Sequence, residues 1–238
     1  MTIVDDSTAI GAGSVQRARQ LTLAYDRLDA EPLLRRFIEQ EFAGRIALVS
    51  SFGAEAAVLL HMVAEIDRSL PVVFLDTGKL FGETLRYRDQ LVRRLGLSDL
   101  RIVKPTPEAL AASDADSLLS HTDPDACCAL RKVAPLREAL AGFDAWISGR
   151  KRYQGALRQF MPVIEASGEK IKLNPLARWS RERIEAEFTA RDLPRHPLEA
   201  DGFLSIGCMP CTRRVAPGSD ARSGRWSGQE KTECGIHL

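Results

Sequence analysis

Ile46-Ala-Leu-Val-Ser50-Ser-Phe-Gly-Ala-Glu55 decides the fold, because it has the pattern of a short buried strand that runs through a tight turn into a helix. An apolar helix is predicted next over Ala56–Ile66, followed by a second strand at Pro71–Leu75. A helix over Phe81–Leu95 and a third strand at Leu100–Val103 continue the alternation. Alternating strands and helices predict an α/β fold with a doubly wound, mostly parallel sheet.

Polar residues follow the first two strands. They are Ser50, Ser51, Gly53, Asp76, Thr77 and Gly78. In open parallel sheets ligands bind beyond the carboxyl ends of the strands, so we expect these residues to border one crevice. Backbone N–H groups at a helix start form an anion site, although serine and glycine there can also serve only as a cap. The turn matches neither the P-loop nor the dinucleotide fingerprint.

The flanking segments complete the predicted architecture. Residues 1–14 are small and polar, and we expect them to be loosely attached, with two helices following between Val15 and Phe42. Residues 104–126, rich in Asp, Ser and Pro, are predicted to form a surface loop, with a helix beginning at Cys127. Phe143–Ser148 is predicted as a further buried strand, and residues 162–173 as a hairpin. A last helix is expected from Trp179 or Ser180 to about Ala190.

A basic turn follows the predicted strand Phe143–Ser148. It starts at Gly149, continues as Arg150-Lys151-Arg152 and is followed by Arg158. By the strand-end rule this turn faces the crevice, and its cations suit a small polyanion. Lys132 lies one helical turn beyond Cys128, where it would compensate a thiolate centre or a bound anion unless it is simply solvated.

Four of the five cysteines form two pairs, Cys127-Cys128 and Cys208-x-x-Cys211. Disulfides, a thioredoxin-type redox pair, a zinc site and an iron–sulfur cluster are the alternatives. Vicinal disulfides are strained, and redox motifs of the thioredoxin type usually follow an early strand. Adjacent thiolates suit a centre with several irons better than one small ion, which modestly favours iron–sulfur. The histidines at 61, 121 and 196 lack partners at metal-ligand spacing and are interpreted as structural or exposed.

The fifth cysteine, Cys234, lies in a polar tail that starts at Thr212 and carries several arginines. Such a segment is expected to be mobile, and its cations favour a thiolate, so Cys234 is the candidate nucleophile. His237 is close enough in sequence to assist.

Composition restricts the remaining functions. The 238 residues carry a net charge of +1, which indicates neither nucleic acid nor membrane as a partner. The start lacks the features of a signal peptide, and no apolar run approaches the roughly 18 residues of a membrane span, so we expect a cytoplasmic protein.

Several motifs together resemble the adenylyl-sulfate reductases of the phosphoadenylyl-sulfate reductase family, from about Arg45 to the C-terminus. They are Ser50-Ser51-Phe52-Gly53-Ala54-Glu55, Asp76-Thr77-Gly78, Cys127-Cys128 with Lys132, Cys208-x-x-Cys211, Arg222-x-x-Arg225-Trp226 and Glu233-Cys234-Gly235-Ile236-His237. Phe52 is a departure, since some cluster-bearing members have a second serine directly before the loop glycine.

The resemblance implies an adenine nucleotide α-hydrolase-like fold with a modified pyrophosphate loop. It implies one 4Fe–4S cluster on Cys127, Cys128, Cys208 and Cys211. The implied reaction reduces adenosine 5′-phosphosulfate to sulfite and AMP with thioredoxin, through an S-sulfocysteine at Cys234. The residues expected to bind the substrate are Ser50, Ser51, Gly53, Asp76, Thr77, Gly78, Lys132, Gly149, Arg158, Arg222, Arg225, Trp226 and His237.

Three other hypotheses compete with this one. Family members that use the 3′-phosphorylated substrate generally lack both cysteine pairs, so the unphosphorylated nucleotide is preferred here. A tRNA-thiolation enzyme of the pyrophosphate-loop group would need an Asp-Ser in its loop, and a zinc-stabilised interaction module leaves Cys234 unexplained. The expected organisation is a helical segment over 1–44, a reductase domain over 45–211 and a mobile tail over 212–238. The sequence does not decide whether the protein forms a homo-oligomer.

Overall fold

The sheet is built from four-residue strands, and its central strands are buried on both faces, whereas the edge strands are partly exposed. A computed structural model describes residues 6–216, 218–228 and 231–237. Its strands are β1 Ile46–Val49, β2 Val72–Leu75, β3 Leu100–Val103, β4 Ala145–Ser148, β5 Ile164–Ser167 and β6 Lys170–Leu173. In this part of the chain they form one sheet in the order β3-β2-β1-β4-β6-β5, in which only the β5–β6 pair is antiparallel. The predicted doubly wound, mostly parallel fold is confirmed.

Helices cover both faces of this sheet. They are α1 Asp6–Tyr25, α2 Ala30–Arg36, α3 Ala56–Ile66, α4 Gly82–Leu95, α5 Pro107–Ser113, α6 Leu119–Thr122, α7 Pro124–Cys128, α8 Ala134–Ala139 and α9 Arg181–Ala190. Ile46 and Leu48 of β1 pack into the larger core with α3. Ala47 between them packs on the opposite face with Trp146. This burial on both faces explains why β1 and β2 are apolar throughout. Within the described residues, no helix is long and apolar enough to cross a membrane.

The chain reverses its winding direction at the centre of the sheet. β1 and β4 are adjacent and parallel, although two strands separate them in sequence. The crevice beyond the carboxyl ends of these two strands is therefore the switch point at which doubly wound sheets bind ligands. Ser50 and Gly149 directly follow β1 and β4, so the fold brings the two predicted binding turns to this crevice.

The N-terminal segment departs from its prediction. Residues 1–5 lie outside the described residues, but α1 already begins at Asp6, inside the segment expected to be loosely attached. Ser14 is buried, and its Oγ donates a 2.6 Å hydrogen bond to the carbonyl of Gly168 in the β5–β6 turn. Leu21 and Phe37 belong to the same core as β1, so the N-terminal helices pack directly on the sheet.

Residues 104–126 are a second correction, because they contain α5, α6 and the start of α7 rather than a continuous loop. The helix expected to begin at Cys127 begins at Pro124, where Asp123 caps the N–H groups of the first turn. Cys127 and Cys128 end α7, and a π-helical turn over Ala129–Val133 connects it to α8. A π turn adds a residue to the helical spacing, so position 132 does not follow ordinary α-helical register with position 128.

Candidate active site

The turn after β1 forms one wall of a cavity of about 220 Å³ at the switch point. Ser50, Ser51 and Gly53 line this cavity, and the Phe52 N–H donates to Ser50 Oγ at 3.2 Å. Phe52 has a φ of 48°, a conformation that side chains other than glycine rarely adopt. Its ring is fully buried and meets Phe74 edge-to-face at 5.4 Å, which offsets the strain. Phe52 therefore anchors the turn in the core.

The turn after β2 contributes one cavity residue, Thr77. The Thr77 hydroxyl lies 3.2 Å from Cys208 Sγ, so this strand end reaches the cysteines. Asp76 accepts a hydrogen bond from the Gly78 N–H and pairs with Lys104 at 3.3 Å. Neither Asp76 nor Gly78 lines the cavity: Gly78 has a φ of 69° and serves the turn. The sequence therefore located the strand end, but only Thr77 faces the crevice.

The four paired cysteines come together beside Thr77. Cys127, Cys128 and Cys208 are buried, Cys211 is half-buried, and all are free thiols. Burial, and then the neighbouring Cys128, raises the pKa of Cys127 to about 11. Burial also raises the pKa values of Cys128 and Cys211. No three Cys, His, Asp or Glu side chains in the described ranges converge as ligands of a single metal ion.

Buried Arg131 fixes the segment that carries Cys127 and Cys128. Its Nη1 donates to the Thr77 carbonyl at 2.8 Å, and its Nε and Nη2 donate to Asp114 at 3.1 and 2.5 Å. The Asp114 side chain is fully buried, and despite that burial Arg131 and the Leu119 N–H hold its pKa below the usual range. The Arg131–Asp114 ion pair was not predicted, because Asp114 lies in a segment that was interpreted as a surface loop.

A second carboxylate, the half-buried Glu55, organises the basic turn after β4. It accepts hydrogen bonds from Lys151 Nζ at 2.8 Å, Tyr153 Oη at 2.7 Å and Gln154 Nε2 at 2.7 Å. Burial opposes its charge, but these donors hold the pKa of Glu55 below its ordinary value. Lys151 is thus neutralised within the protein. Arg152 donates to the Met161 carbonyl and does not line the cavity, contrary to the expectation that the whole turn faces a ligand.

The tail enters the cavity and closes one side of it. Cys234, His237, Arg222, Arg225 and Trp226 all line the cavity, as do Gly149 and Arg158. Trp226 is only 4% exposed, so this segment does pack, contrary to what its polar composition indicated. The expected mobility of the tail stays a prediction.

His237, near the end of the tail, packs against the sheet. Its ring stacks on Trp146 with centroids 6.1 Å apart, and Ile236 packs on the same side of the sheet. Burial, followed by the charges of Arg150 and Lys172, lowers the pKa of His237 well below its ordinary value. The ring is therefore neutral at pH 7. Its Nδ1 is buried with no hydrogen-bond partner in the described part of the chain.

Two cations near Cys234 keep their charge available to the cavity. Lys132 lines it without an ion pair or hydrogen bond to any described residue, and Arg225 donates only to the Cys211 carbonyl while lying 4.4 Å above the Trp226 ring. Burial opposes the charge on Lys132, but the thiols of Cys208 and Cys234 raise its pKa. A thiol, two available cations and a turn with the geometry of an anion site are the parts that acyl, phosphoryl or sulfuryl transfer requires.

The family model for the phosphoadenosine phosphosulfate reductase domain matches residues 45–214. The chain belongs to the phosphoadenosine phosphosulfate reductase family. A relative from Chelativorans sp. (strain BNC1), named adenosine 5′-phosphosulfate reductase, is 53% identical over 93% of this chain and 91% of its own. One of the same name from Mesorhizobium japonicum is 51% identical, covering 95% and 89%. A relative from Gloeobacter violaceus, named phosphoadenosine 5′-phosphosulfate reductase, is 38% identical over the full length of both chains.

Solved structures extend the family assignment to the fold. The phosphoadenylyl-sulfate reductase of Candida auris, solved as a phosphate complex, superposes with a TM-score of 0.68 at 26% identity, covering 82% of this chain and 95% of that one. Yeast FAD synthetase superposes with a TM-score of 0.54 at 17% identity, covering 85% and 75%, and this likeness concerns the fold alone. The predicted adenine nucleotide α-hydrolase-like fold is confirmed.

Proposed function

We propose that this protein reduces adenosine 5′-phosphosulfate to sulfite and AMP in assimilatory sulfate reduction. The observation that carries the proposal is the position of Cys234, a free thiol that lines the cation-bearing cavity at the switch point of the sheet. The names of the Chelativorans and Mesorhizobium relatives support the same substrate. Lys151 is paired with Glu55, so Lys132 and Arg225 are the cations that remain available to a phosphosulfate group.

The cavity offers a separate environment to each part of such a nucleotide. Leu59, Leu60 and Phe74 contribute apolar wall that suits the adenosine. The backbone around Ser50, Ser51 and Gly53 suits a phosphate at the start of α3. Lys132 and Arg225 would hold the phosphosulfate, bordered by Arg158, Arg222 and Gly149, and His237 Nδ1 can donate to one of its oxygens. Thr77 and Trp226 complete the wall, while Asp76 and Gly78 would act by shaping the β2 turn.

The chemical step begins at Cys234. Its thiolate attacks the sulfuryl sulfur: the Sγ–S bond forms, the S–O bond to the phosphate breaks, and AMP leaves with the bridging oxygen and its electron pair. Lys132 and Arg225 stabilise the charge that develops on the leaving phosphate. A thioredoxin thiolate then attacks Cys234 Sγ and sulfite leaves. The second thioredoxin thiol attacks the mixed disulfide and releases Cys234 as the thiolate.

The four paired thiols fit one 4Fe–4S cluster. Cys127, Cys128, Cys208 and Cys211 are the donor set that such clusters use, and they meet without converging as ligands of a single ion. When bound, the cluster supplies a cross-link between the two cysteine segments and an electrostatic environment next to Lys132. A cytoplasmic location, where thiols stay reduced, suits both the four cluster ligands and the nucleophile Cys234.

The presence of both cysteine pairs supports the unphosphorylated nucleotide as the substrate. The experiment measures sulfite release by anaerobically purified protein with thioredoxin, comparing adenosine 5′-phosphosulfate with its 3′-phosphorylated form. We expect turnover with the first and a much lower kcat/KM with the second. Cys234→Ser should release no sulfite, and iron and acid-labile sulfide should each approach four per chain. Equal rates on both nucleotides would contradict the substrate assignment, and sulfite release by Cys234→Ser would contradict the mechanism.

A further inference from the structure

Arg158 is tied to the tail rather than free in the cavity. Its side chain is only 8% exposed, and it lies in a short 3₁₀ turn over Ala156–Arg158. Nη2 donates to Glu233 Oε2 at 2.7 Å, Nε donates to Oε1 of the same carboxylate, and Nη1 donates to Gln154 Oε1 at 2.6 Å. All three guanidinium nitrogens therefore have protein partners, in a bidentate geometry that fixes direction as well as distance.

The carboxylate on the tail side is equally enclosed. The Glu233 side chain is 9% exposed, and despite its burial Arg158 and Arg222 keep its pKa below the ordinary value. Arg222 Nη2 donates to the Thr232 carbonyl at 2.6 Å and lies 3.3 Å from Glu233 Oε2. The two residues before Cys234 are thus both held by arginines, Thr232 by Arg222 and Glu233 by Arg158.

The Arg158–Glu233 ion pair is connected to the wall of the cavity through Gln154. Gln154 accepts from Arg158 through Oε1 and donates to Glu55 through Nε2, so Gln154 connects the arginine to the half-buried carboxylate that orders the turn after β4. An ion pair among buried partners keeps its strength because water does not screen it. A continuous series of hydrogen bonds therefore connects Glu55, at the start of α3, to Glu233, the residue before Cys234.

We propose that the Arg158–Glu233 pair is a latch: its ion pair holds the tail against the cavity wall and thereby positions Cys234. Glu233 is then a positioning residue, and its carboxylate is not a stand-in for the substrate anion. The kinetic part of this proposal rests on the proposed function, but the closure of the latch is a property of the resting protein and can be measured without turnover.

Tail closure can be measured by tryptic cleavage after Lys231, which removes residues 232–238. The Lys231 side chain is 7% exposed and paired with Asp125, so cleavage requires the tail to open. Cleavage that is slow compared with reclosing follows the open population. We expect Glu233→Gln to speed it about 10- to 100-fold, the loss associated with a hydrogen bond between charged groups. Glu185→Gln, which breaks the exposed Arg195–Glu185 pair, is the matched control and should leave the rate unchanged.

Coupling between the two partners separates a latch from general loosening. Arg158→Gln alone should speed cleavage as much as Glu233→Gln alone, and the double variant no more than either. Additive effects would overturn the proposal. Far-ultraviolet circular dichroism and Tm should match the wild type for the Gln variants; if Arg158→Gln fails to fold, Arg158→Lys, which cannot form the bidentate contact, replaces it in the cycle.

Nucleotide binding and kinetics separate the latch from an anion stand-in. With AMP as the probe, Glu233→Gln should bind within about threefold of wild type, while kcat for sulfite release falls about 10-fold or more and KM changes little, because a misplaced nucleophile loses rate. Tighter AMP binding and a lower KM would instead mean that Glu233 competes with the substrate anion, and the latch proposal would be wrong. Unchanged tail cleavage would also overturn it. An inactive wild type with a normal cleavage response would leave the latch standing and refute only the proposed function.

Discussion

Replacing Asp114 tests how the segment that carries Cys127 and Cys128 is held. The fully buried Asp114 carboxylate accepts from Arg131 Nε and Nη2 and, through its other oxygen, from the Leu119 N–H at 2.8 Å. Arg131 is itself only 7% exposed, and its remaining contact is the Thr77 carbonyl. Asp114→Ala would leave a buried guanidinium without its counter-charge.

The magnitude follows from the burial of the pair. Removing one partner of a buried ion pair costs about 3–5 kcal/mol, whereas Asp114→Asn keeps one acceptor oxygen and should cost about 1.5–3 kcal/mol. Asp144→Asn is the matched control, because it breaks the exposed Arg45–Asp144 pair and should cost about 0–1 kcal/mol. Guanidinium unfolding followed by circular dichroism gives the free energies of unfolding of all three variants.

The result can refute the reasoning in two ways. A loss for Asp114→Ala no larger than that of the Asp144→Asn control would mean that Arg131 finds solvent or another partner. A large loss of stability with unchanged iron content would mean that the pair supports the fold without positioning the cysteines. We expect both stability and iron content to fall.

Three further predictions concern other parts of the molecule. Burial lowers the pKa of His196 to about 4, so below pH 6.5 the folded state binds fewer protons than the unfolded state. The free energy of unfolding should therefore fall by about 2 kcal/mol from pH 7 to pH 4.5. Denaturant titrations of His196→Asn should show a weaker dependence on pH. A Cβ on Gly207 would lie 2.4 Å from Arg225 Nη2, so Gly207→Ala should weaken AMP binding about 10-fold by calorimetry, while Gly142→Ala, which has open space, should not. Cys211→Ser should lower iron and acid-labile sulfide; full retention of both would remove Cys211 from the ligand set.

The strands and their order of winding could be predicted because their signals are local. Ile46–Val49 and Val72–Leu75 are apolar throughout, which is the pattern of strands buried on both faces. The end of α4 is local as well, since Gly96 follows Leu95 and adopts the left-handed conformation with a φ of 67°. The position of the crevice could be predicted because the carboxyl ends of parallel strands share one edge of the sheet.

The segment before Cys127 could not be predicted, because its helices are too short to show a period. α5 to α7 span four to seven residues each, and what orders them is the contact between Asp114 and Arg131, which are 17 positions apart. The partners of Glu55 are likewise almost one hundred residues away in sequence. Such tertiary contacts leave no periodic trace in the sequence.

The packing of the tail was missed for the same reason. Trp226 and Ile236 are isolated apolar residues in a polar segment, and no helical or strand period connects them. Ile236 is half-buried beside Trp146 of β4, and Trp226 is buried under the guanidinium of Arg225, so both depend on contacts that the hydrophobic pattern does not record. Motif similarity located Cys234 and His237 where hydrophobic pattern could not.

The nucleophile can be tested directly by a single turnover without reductant. The protein is mixed with adenosine 5′-phosphosulfate, quenched and digested with trypsin, and the peptide of residues 232–238 is analysed by mass spectrometry. The account predicts that this peptide gains the mass of one SO₃ group, in step with AMP release, and that Cys234→Ser forms neither product. AMP release without the adduct, or an adduct on any other cysteine, would contradict the assignment of Cys234.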